Sequence, residues 1–286
     1  MKARPLTVPH EDFYIENLKR TTEYNMYNYH LHQEFEIYYL VSGERKYFID
    51  DNVYTVQAGN LVLIDANEIH KTGSIGAQHH ERTVIYFNYS FLKELYPHIS
   101  NLNLLSCFQS EYRVLPLSLK YKHSTEDILN KMISISDFKN HLLEPRKRFY
   151  IQLLLCELLV LINNFIDKLE EKEYYYSQLM HPKITQIIKY INGNYNKSIT
   201  LSDMSEKFYI SPSYLSKLFK DTTNFTFTEY LNSVRIKNAK ILLTKPNYRI
   251  IDVAQKVGFN NNTHFTRVFK DITGMSPTNY KKLLKT

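Results

Sequence analysis

The chain has 286 residues, a net charge of +7, 43% hydrophobic residues, and only seven Gly and nine Pro. That length suits about two domains, and the composition excludes a disordered, collagen-like or disulfide-framed protein. Cys107 and Cys156 form no paired motif, and Cys156 sits in an apolar run from Leu153 to Leu159, as a reduced thiol in a cytoplasmic protein would.

The first residues, MKARPLTVPHEDFYIE, lack the apolar stretch of a secretory signal. Residues 23–90 read as strands: 36–41, 46–49, 53–56, 61–64 and 84–87, with turns at Ser42-Gly43, Asp50-Asp51-Asn52 and Ala58-Gly59-Asn60. Short strands at this spacing predict a small β-barrel or jelly roll. From about residue 124 the period turns helical. Thr125-Glu126-Asp127 opens a helix through Ile128, Met132 and Ile135, and 149–169 makes a long one. Its apolar stretch, 151–166, is broken by Gln152, Glu157, Asn163 and Asn164 and is shorter than the roughly 20 residues of a membrane span, so no membrane partner is expected. The charged, tyrosine-rich stretch 171–181 has no period and reads as a linker.

Charge divides at that linker. From His181 to Thr286 there are seventeen Lys and Arg against six Asp and Glu, a net +11; from Met1 to Met180 there are nineteen against twenty-three, a net −4. The basic end is where a polyanion would bind. It also repeats itself. Phe219-Lys220-Asp221 and Phe269-Lys270-Asp271 stand fifty residues apart, as do Tyr230 and Tyr280. Ile184, Ile187, Ile188 and Ile191 predict a first amphipathic helix ending near 192–194. Thr200 or Ser202 caps the next, and Ser211 followed by Pro212 opens a helix to Asp221 with Leu215, Leu218 and Phe219 inward. In the second copy Ile251, Val253, Ala254 and Val257 form a supporting helix, Gly258 a turn, and Asn260 or Asn261 caps a helix to Asp271 with Phe265, Val268 and Phe269 inward. A helix from Thr228 to Leu243 separates the copies; held rigid, it sets the outward faces about 34 Å apart, one turn of duplex. The outward Ser, Lys, Asn, Thr and Arg suit base edges and phosphates.

Residues 184–282 resemble the AraC/XylS-type DNA-binding domain, through Ile199-Thr200-Leu201, the run from Ser211 to Lys220, Tyr230-Leu231, Arg235-Ile236 with Ala239, Val257-Gly258-Phe259, Phe265 to Lys270, and Gly274-Met275-Ser276-Pro277 with Tyr280. The resemblance implies two reading helices in adjacent major grooves, with positions matching Ser213, Ser216, Lys217, Asn262, Thr263 and Arg267 facing bases. Tyr214, Lys220, Asn261, His264, Thr266 and Lys270 complete the expected DNA-binding set. Asn224 stands where the family usually has Gly, and Ser205 where it has Ala. Small Ser213 and Ser216 imply fewer base contacts from the first reading helix.

His30, His32 and Glu36, with His70 after Gly59, resemble the cupin motifs, although Asp65, Asn67 and Ser74 depart from the second. Three imidazoles and a carboxylate on one face suit a divalent metal. In regulators of this family such histidines often line a pocket without metal, and that is the expectation here: an effector pocket of His30, His32, Glu36, Tyr38, Tyr47 and His70, no resident cofactor, and the metal kept as an alternative. Tyr38, Tyr47 and Tyr86 are either stacking surfaces for a sugar ring or wall packing.

The expected protein is therefore α+β: a cupin-like sensing and dimerisation domain over 1–170, a linker over 171–181, and a double helix-turn-helix domain over 182–286. The expected function is a non-enzymatic transcriptional activator responding to a carbohydrate or its metabolite. Double-stranded DNA, the effector, RNA polymerase and a second copy are the expected partners, the second copy pairing through the long helix as in the family. A cupin metalloenzyme with a DNA-binding appendage and an effector-independent DNA binder are the competing readings.

Overall fold

The computed structural model describes residues 12–21, 32, 34–50, 52–66, 68–75, 79–93, 95, 102–136, 144–170 and 182–284. The expected linker, 171–181, lies outside the described residues.

The N-terminal part is built from β1 (Phe13–Arg20), β2 (Phe35–Ser42), β3 (Glu44–Ile49), β4 (Asn52–Gln57), β5 (Asn60–Ile64), β6 (His70–Ser74), β7 (His80–Phe87) and β8 (Val114–Pro116). They make a five-stranded sheet in the order β1-β7-β2-β5-β8 and a three-stranded sheet β4-β3-β6. Tyr38, Leu40, Tyr47, Ile49, Val56, Val62 and Val84 from both sheets fill the space between them. Strands β1, β6 and β8 had no separate place in the sequence reading. The face of β1 that buries Phe13 and Ile15 continues with exposed Asn17 and Lys19, residues of low strand propensity, which dilute its alternation. Strand β8 is only three residues long and exists because it pairs with Asn60–Val62 of β5.

Helices α1 (Tyr89–Leu92), α2 (Leu119–Ile135) and α3 (Pro145–Glu170) cover the outer face of the larger sheet with a 3₁₀ turn over Leu104–Gln109. Helix α3 is long and apolar enough to cross a membrane by length and composition, with half of its apolar window buried inside the fold. Two of its polar interruptions, Gln152 and Asn163, are anchors, while Glu157 and Asn164 are exposed. Gln152 Nε2 donates to Phe91 O at 2.6 Å, and Asn163 donates to Leu104 O at 2.9 Å and accepts from Ser106 Oγ at 2.8 Å. A buried amide without such partners would cost about 1–3 kcal/mol, so these bonds fix the register of α3 on the sheet.

The C-terminal part is all helix: α4 (Pro182–Asn194), α5 (Leu201–Phe208), α6 (Pro212–Thr223), α7 (Phe227–Leu243), α8 (Ile250–Lys256), α9 (Asn262–Thr273) and α10 (Pro277–Leu283). Ile184, Ile187, Ile188 and Ile191 of α4 are completely buried, as their spacing predicts. Helix α6 runs two residues past the expected end at Asp221, because Thr223 Oγ1 folds back onto Phe219 O at 2.7 Å and extends the last turn.

The core of this helical part contains three residues of the N-terminal part, Phe48, Val53 and Ile69. Phe48 packs edge-on against Phe225 and Tyr230, with ring centroids 5.2 and 5.6 Å away. The small sheet therefore presents one face to its own barrel and the other to the helices.

Candidate nucleic-acid interface and sensor site

The repeat extends to individual hydrogen bonds. Ser211 Oγ accepts from Tyr214 N, and fifty residues later Asn261 Oδ1 accepts from Thr263 N and His264 N. At the far ends, Asn224 N donates to Lys220 O at 2.8 Å and Gly274 N to Lys270 O at 2.9 Å. Both of these residues are left-handed, at φ 62° and 79°, so Asn224 does the work of the expected glycine. Thr223 and Thr273 bond the carbonyls of Phe219 and Phe269, and Thr226 and Ser276 cap the helices that follow. The last two pairs escaped the sequence reading, although they too stand fifty residues apart.

These bonds orient α6 and α9 with their apolar sides buried. Ser213, Tyr214, Ser216, Lys217 and Lys220 are exposed on α6; Asn262, Thr263, His264, Arg267 and Lys270 are exposed on α9, and Thr266 is half-buried. Asn261 is exposed but its Oδ1 is committed to the cap, leaving only its amide nitrogen to offer a ligand. Ser205 is buried and its hydroxyl bonds Leu201 O at 2.9 Å, which makes the departure from Ala harmless. Arg235 and Lys240 of α7 are buried instead of facing solvent. Arg235 donates to Tyr195 O and Lys197 O, and Lys240 lies over the Tyr280 ring.

In the barrel, His32, Glu36 and His70 come together: His32 Nε2 is 3.1 Å and His70 Nε2 3.3 Å from the same Glu36 Oε2. His30 lies outside the described residues. Burial alone would raise the Glu36 carboxyl, but the two imidazoles outweigh it and hold the group well below the usual carboxylate range. Burial would lower His70, and Glu36 reverses that and raises it. Tyr38 and Tyr47 are 1% exposed and their rings meet edge-on at 5.0 Å.

An open cleft of about 390 Å³ lies elsewhere, between the two parts, lined by Asp50, Asp65, Glu68, Arg113, Lys237 and Lys240 among others. Arg113 pairs with Glu68 at 2.8 Å and Lys237 with Asp50 at 2.9 Å. Burial pushes the Glu68 carboxyl up to about 7 despite Arg113. Nothing in the sequence marks this cleft, because its walls come from two turns, Arg113 before β8, and the distant helices α7 and α10.

Two family models match the chain: an AraC-like ligand-binding domain over residues 16–127 and a helix-turn-helix domain over 204–283. The chain belongs to the AraC family. Its matched parts are a ligand-binding domain and a helix-turn-helix domain. It is 31% identical over 166 residues to the Msm operon regulatory protein of Streptococcus mutans, covering 57% of this chain and 58% of that one. An uncharacterized HTH-type transcriptional regulator of Staphylococcus aureus is 25% identical over 243 residues, covering 85% of this chain and 31% of that one. The chain thus spans less than two thirds of the length of either relative. A solved structure of ToxT from Vibrio cholerae aligns over 96% of this chain and 100% of that one, at 17% identity and a TM-score of 0.40; a likeness that low says nothing of what either protein binds.

Proposed function

We propose that this regulator lays α6 and α9 into successive major grooves of its operator and activates transcription when a small effector binds. The observation that carries the reading is the fifty-residue repeat of two capped helices, each with its apolar side buried and a polar, basic side exposed. Arg267 is suited to a bidentate contact with guanine and Asn262 to adenine, Lys217 faces bases on α6, and Lys220 and Lys270 neutralise phosphates. The short hydroxyls of Ser213 and Ser216 make α6 the weaker reader.

The effector is proposed to enter the cleft between the two parts. Its paired carboxylates and cations, with Tyr280 beside them, can divide among several hydroxyls, which fits a carbohydrate or a sugar metabolite. A ligand there touches both parts and can bias their docking by the few kcal/mol that allostery requires. Leu153, Val160, Phe149 and Tyr150 on the outer side of α3, each more than 40% exposed, are proposed to meet the same helix of a second copy. RNA polymerase is the proposed downstream partner, the cytoplasm the proposed compartment, and no catalysis is assigned to the chain.

Selection of duplexes from a random pool by the full chain, followed by gel shifts with and without mono- and disaccharides, tests this reading. Enrichment of one motif whose retention changes with a sugar supports it. Recovery of unselected sequence, or indifference to every sugar, counts against the DNA or the effector half respectively.

A further inference from the structure

The His32–Glu36–His70 group has a hydrogen-bond inventory that closes only with added positive charge, either a second proton on each ring or a bound cation. His32 Nδ1 lies 2.9 Å from Glu34 O, and His70 Nδ1 lies 3.0 Å from Glu68 O. A carbonyl oxygen only accepts, so both Nδ1 atoms must carry the proton. In a neutral imidazole the other nitrogen is then a lone pair. Both of these lone pairs, the two Nε2 atoms, aim at one ionised carboxylate oxygen, itself an acceptor. His70 Nε2 is buried and makes no hydrogen bond of good geometry. Three acceptors facing one another repel unless a positive species sits among them.

The two His–Glu spacings fit such a species. The three ligand atoms lie within 4.8 Å of one another, and the two His–Glu separations are 3.1 and 3.3 Å. Bonds of about 2.0–2.2 Å from one ion, at ordinary coordination angles, put neighbouring ligand atoms roughly 3.0–3.5 Å apart. The scaffold is stiff: Glu36 is on β2, His70 begins β6, and the His32 ring is held edge-on to His70 at 5.0 Å and to Tyr86 at 5.2 Å. The backbone carbonyls on Nδ1 are the outer-shell partners that commonly orient metal-bound imidazoles.

From this geometry we infer that His32 Nε2, Glu36 Oε2 and His70 Nε2 form a binding site for one divalent transition-metal ion inside the sensor. Two imidazoles and one carboxylate favour Zn²⁺, Co²⁺, Ni²⁺ or Fe²⁺ over Mg²⁺ or Ca²⁺, which take oxygen ligands. Positions left open on the ion would be filled by water or by a ligand bearing oxygen donors. The inference is independent of the DNA reading, since it is read on metal binding alone.

The test uses the full chain stripped with a chelator and titrated with Zn²⁺ by calorimetry and with Co²⁺ by visible absorption, at neutral pH. The expected result is one ion per chain and a Co²⁺ d–d band that Zn²⁺ abolishes. His70→Gln and Glu36→Gln should each weaken binding by at least about 10-fold, whereas His123→Gln, at an exposed His123–Asp127 pair, should leave it unchanged. Circular dichroism of each apo variant establishes that it is folded; should His70→Gln not fold, His32→Gln carries the same expectation. Binding that survives in the folded variants would overturn the inference. So would imidazole ¹⁵N shifts showing both rings fully protonated with added Zn²⁺, because two protons would then be the missing positive species.

Discussion

His70 and Lys71 are neighbours on β6 and serve opposite sides of it. The His70 ring is 1% exposed and points into the barrel at Glu36, while Lys71 Nζ lies 5.0 Å from the centroid of the Phe225 ring and 3.7 Å from Glu229, both in the helical part. Alternation along a strand makes this unavoidable, since successive side chains leave opposite faces. One strand therefore carries the sensor's polar centre on one side and the docking face for the first helix-turn-helix unit on the other. Strand β3 does the same: Tyr47 fills the barrel, Phe48 enters the helical core, and Lys46 Nζ donates to Asp221 O on α6.

Phe48→Ala should loosen that docking. Removing a fully buried aromatic ring costs about 3 kcal/mol or more. Amide exchange is the measurement: protection should fall in α6 and α7 and persist in β2, β5 and β7. Unchanged protection in α6 would mean that the contact with the sensor does not hold the reading unit.

A side chain at residue 73 should act through the same surface. A Cβ built on Gly73 lies 2.5 Å from Asn224 Nδ2, at the end of the first reading helix. Alanine can be absorbed by turning the Asn224 amide, but Gly73→Leu cannot, and it should change operator affinity by several-fold. Equal gel-shift affinity for Gly73→Leu and the parent chain would disconnect this surface from DNA binding.

Arg267→Ala should weaken operator binding by about 1–3 kcal/mol and relax preference at one base pair. Lys270→Ala should weaken binding to all sequences alike and lower the dependence of log K on log salt by about one ion. Titrations against operator variants at several salt concentrations separate the two behaviours. Retained preference in Arg267→Ala would remove Arg267 from the reading set.

The two helix ends predict opposite responses. Gly274 has open space where a Cβ would go, so Gly274→Ala should cost only the left-handed backbone penalty, about 1–2 kcal/mol. Asn224→Gly should be neutral or stabilising by a few tenths of a kcal/mol, since glycine tolerates φ 62° better than asparagine. Urea unfolding monitors both, and a stabilising Gly274→Ala would contradict the cap geometry.

Acid should weaken the sensor through His80. Burial and the charges of Arg45, Arg82 and Arg20 push this imidazole down to about 4. Between the ordinary histidine value near 6.5 and pH 4 the unfolded chain takes up a proton that the folded chain refuses, so stability falls as pH falls through that window. The loss is on the order of 2–3 kcal/mol at the lower end. His80→Gln should flatten that part of the stability profile relative to the parent; identical slopes would exclude His80 as the source.

How much the sequence revealed follows from the range of the interactions. Helices α4 to α9 are legible because Ile184, Ile187, Ile188 and Ile191, Ser211-Pro212, and Asn261 are local signals within a turn or two, whereas α10 (Pro277–Leu283) has no place in the sequence reading. The meeting of His32, Glu36 and His70 was legible because strand alternation and the cupin-like spacing place them together. The docking role of Phe48 was not: within Lys46–Ile49 it looks like any strand hydrophobe, and only the structure shows that its side of the sheet is covered by helices. Nor did the Lys and Arg of α7 declare themselves, since Arg235 and Lys240 turn inward to carbonyls and an aromatic ring, where charge counting alone would leave them outside.

Hydroxyl-radical footprinting of the full chain on a selected duplex tests the central claim most directly. Two protected tracts about 10 base pairs apart on one face of the helix are expected, the tract under α9 fading in Arg267→Ala. A single tract, or no protection at low salt, would contradict it.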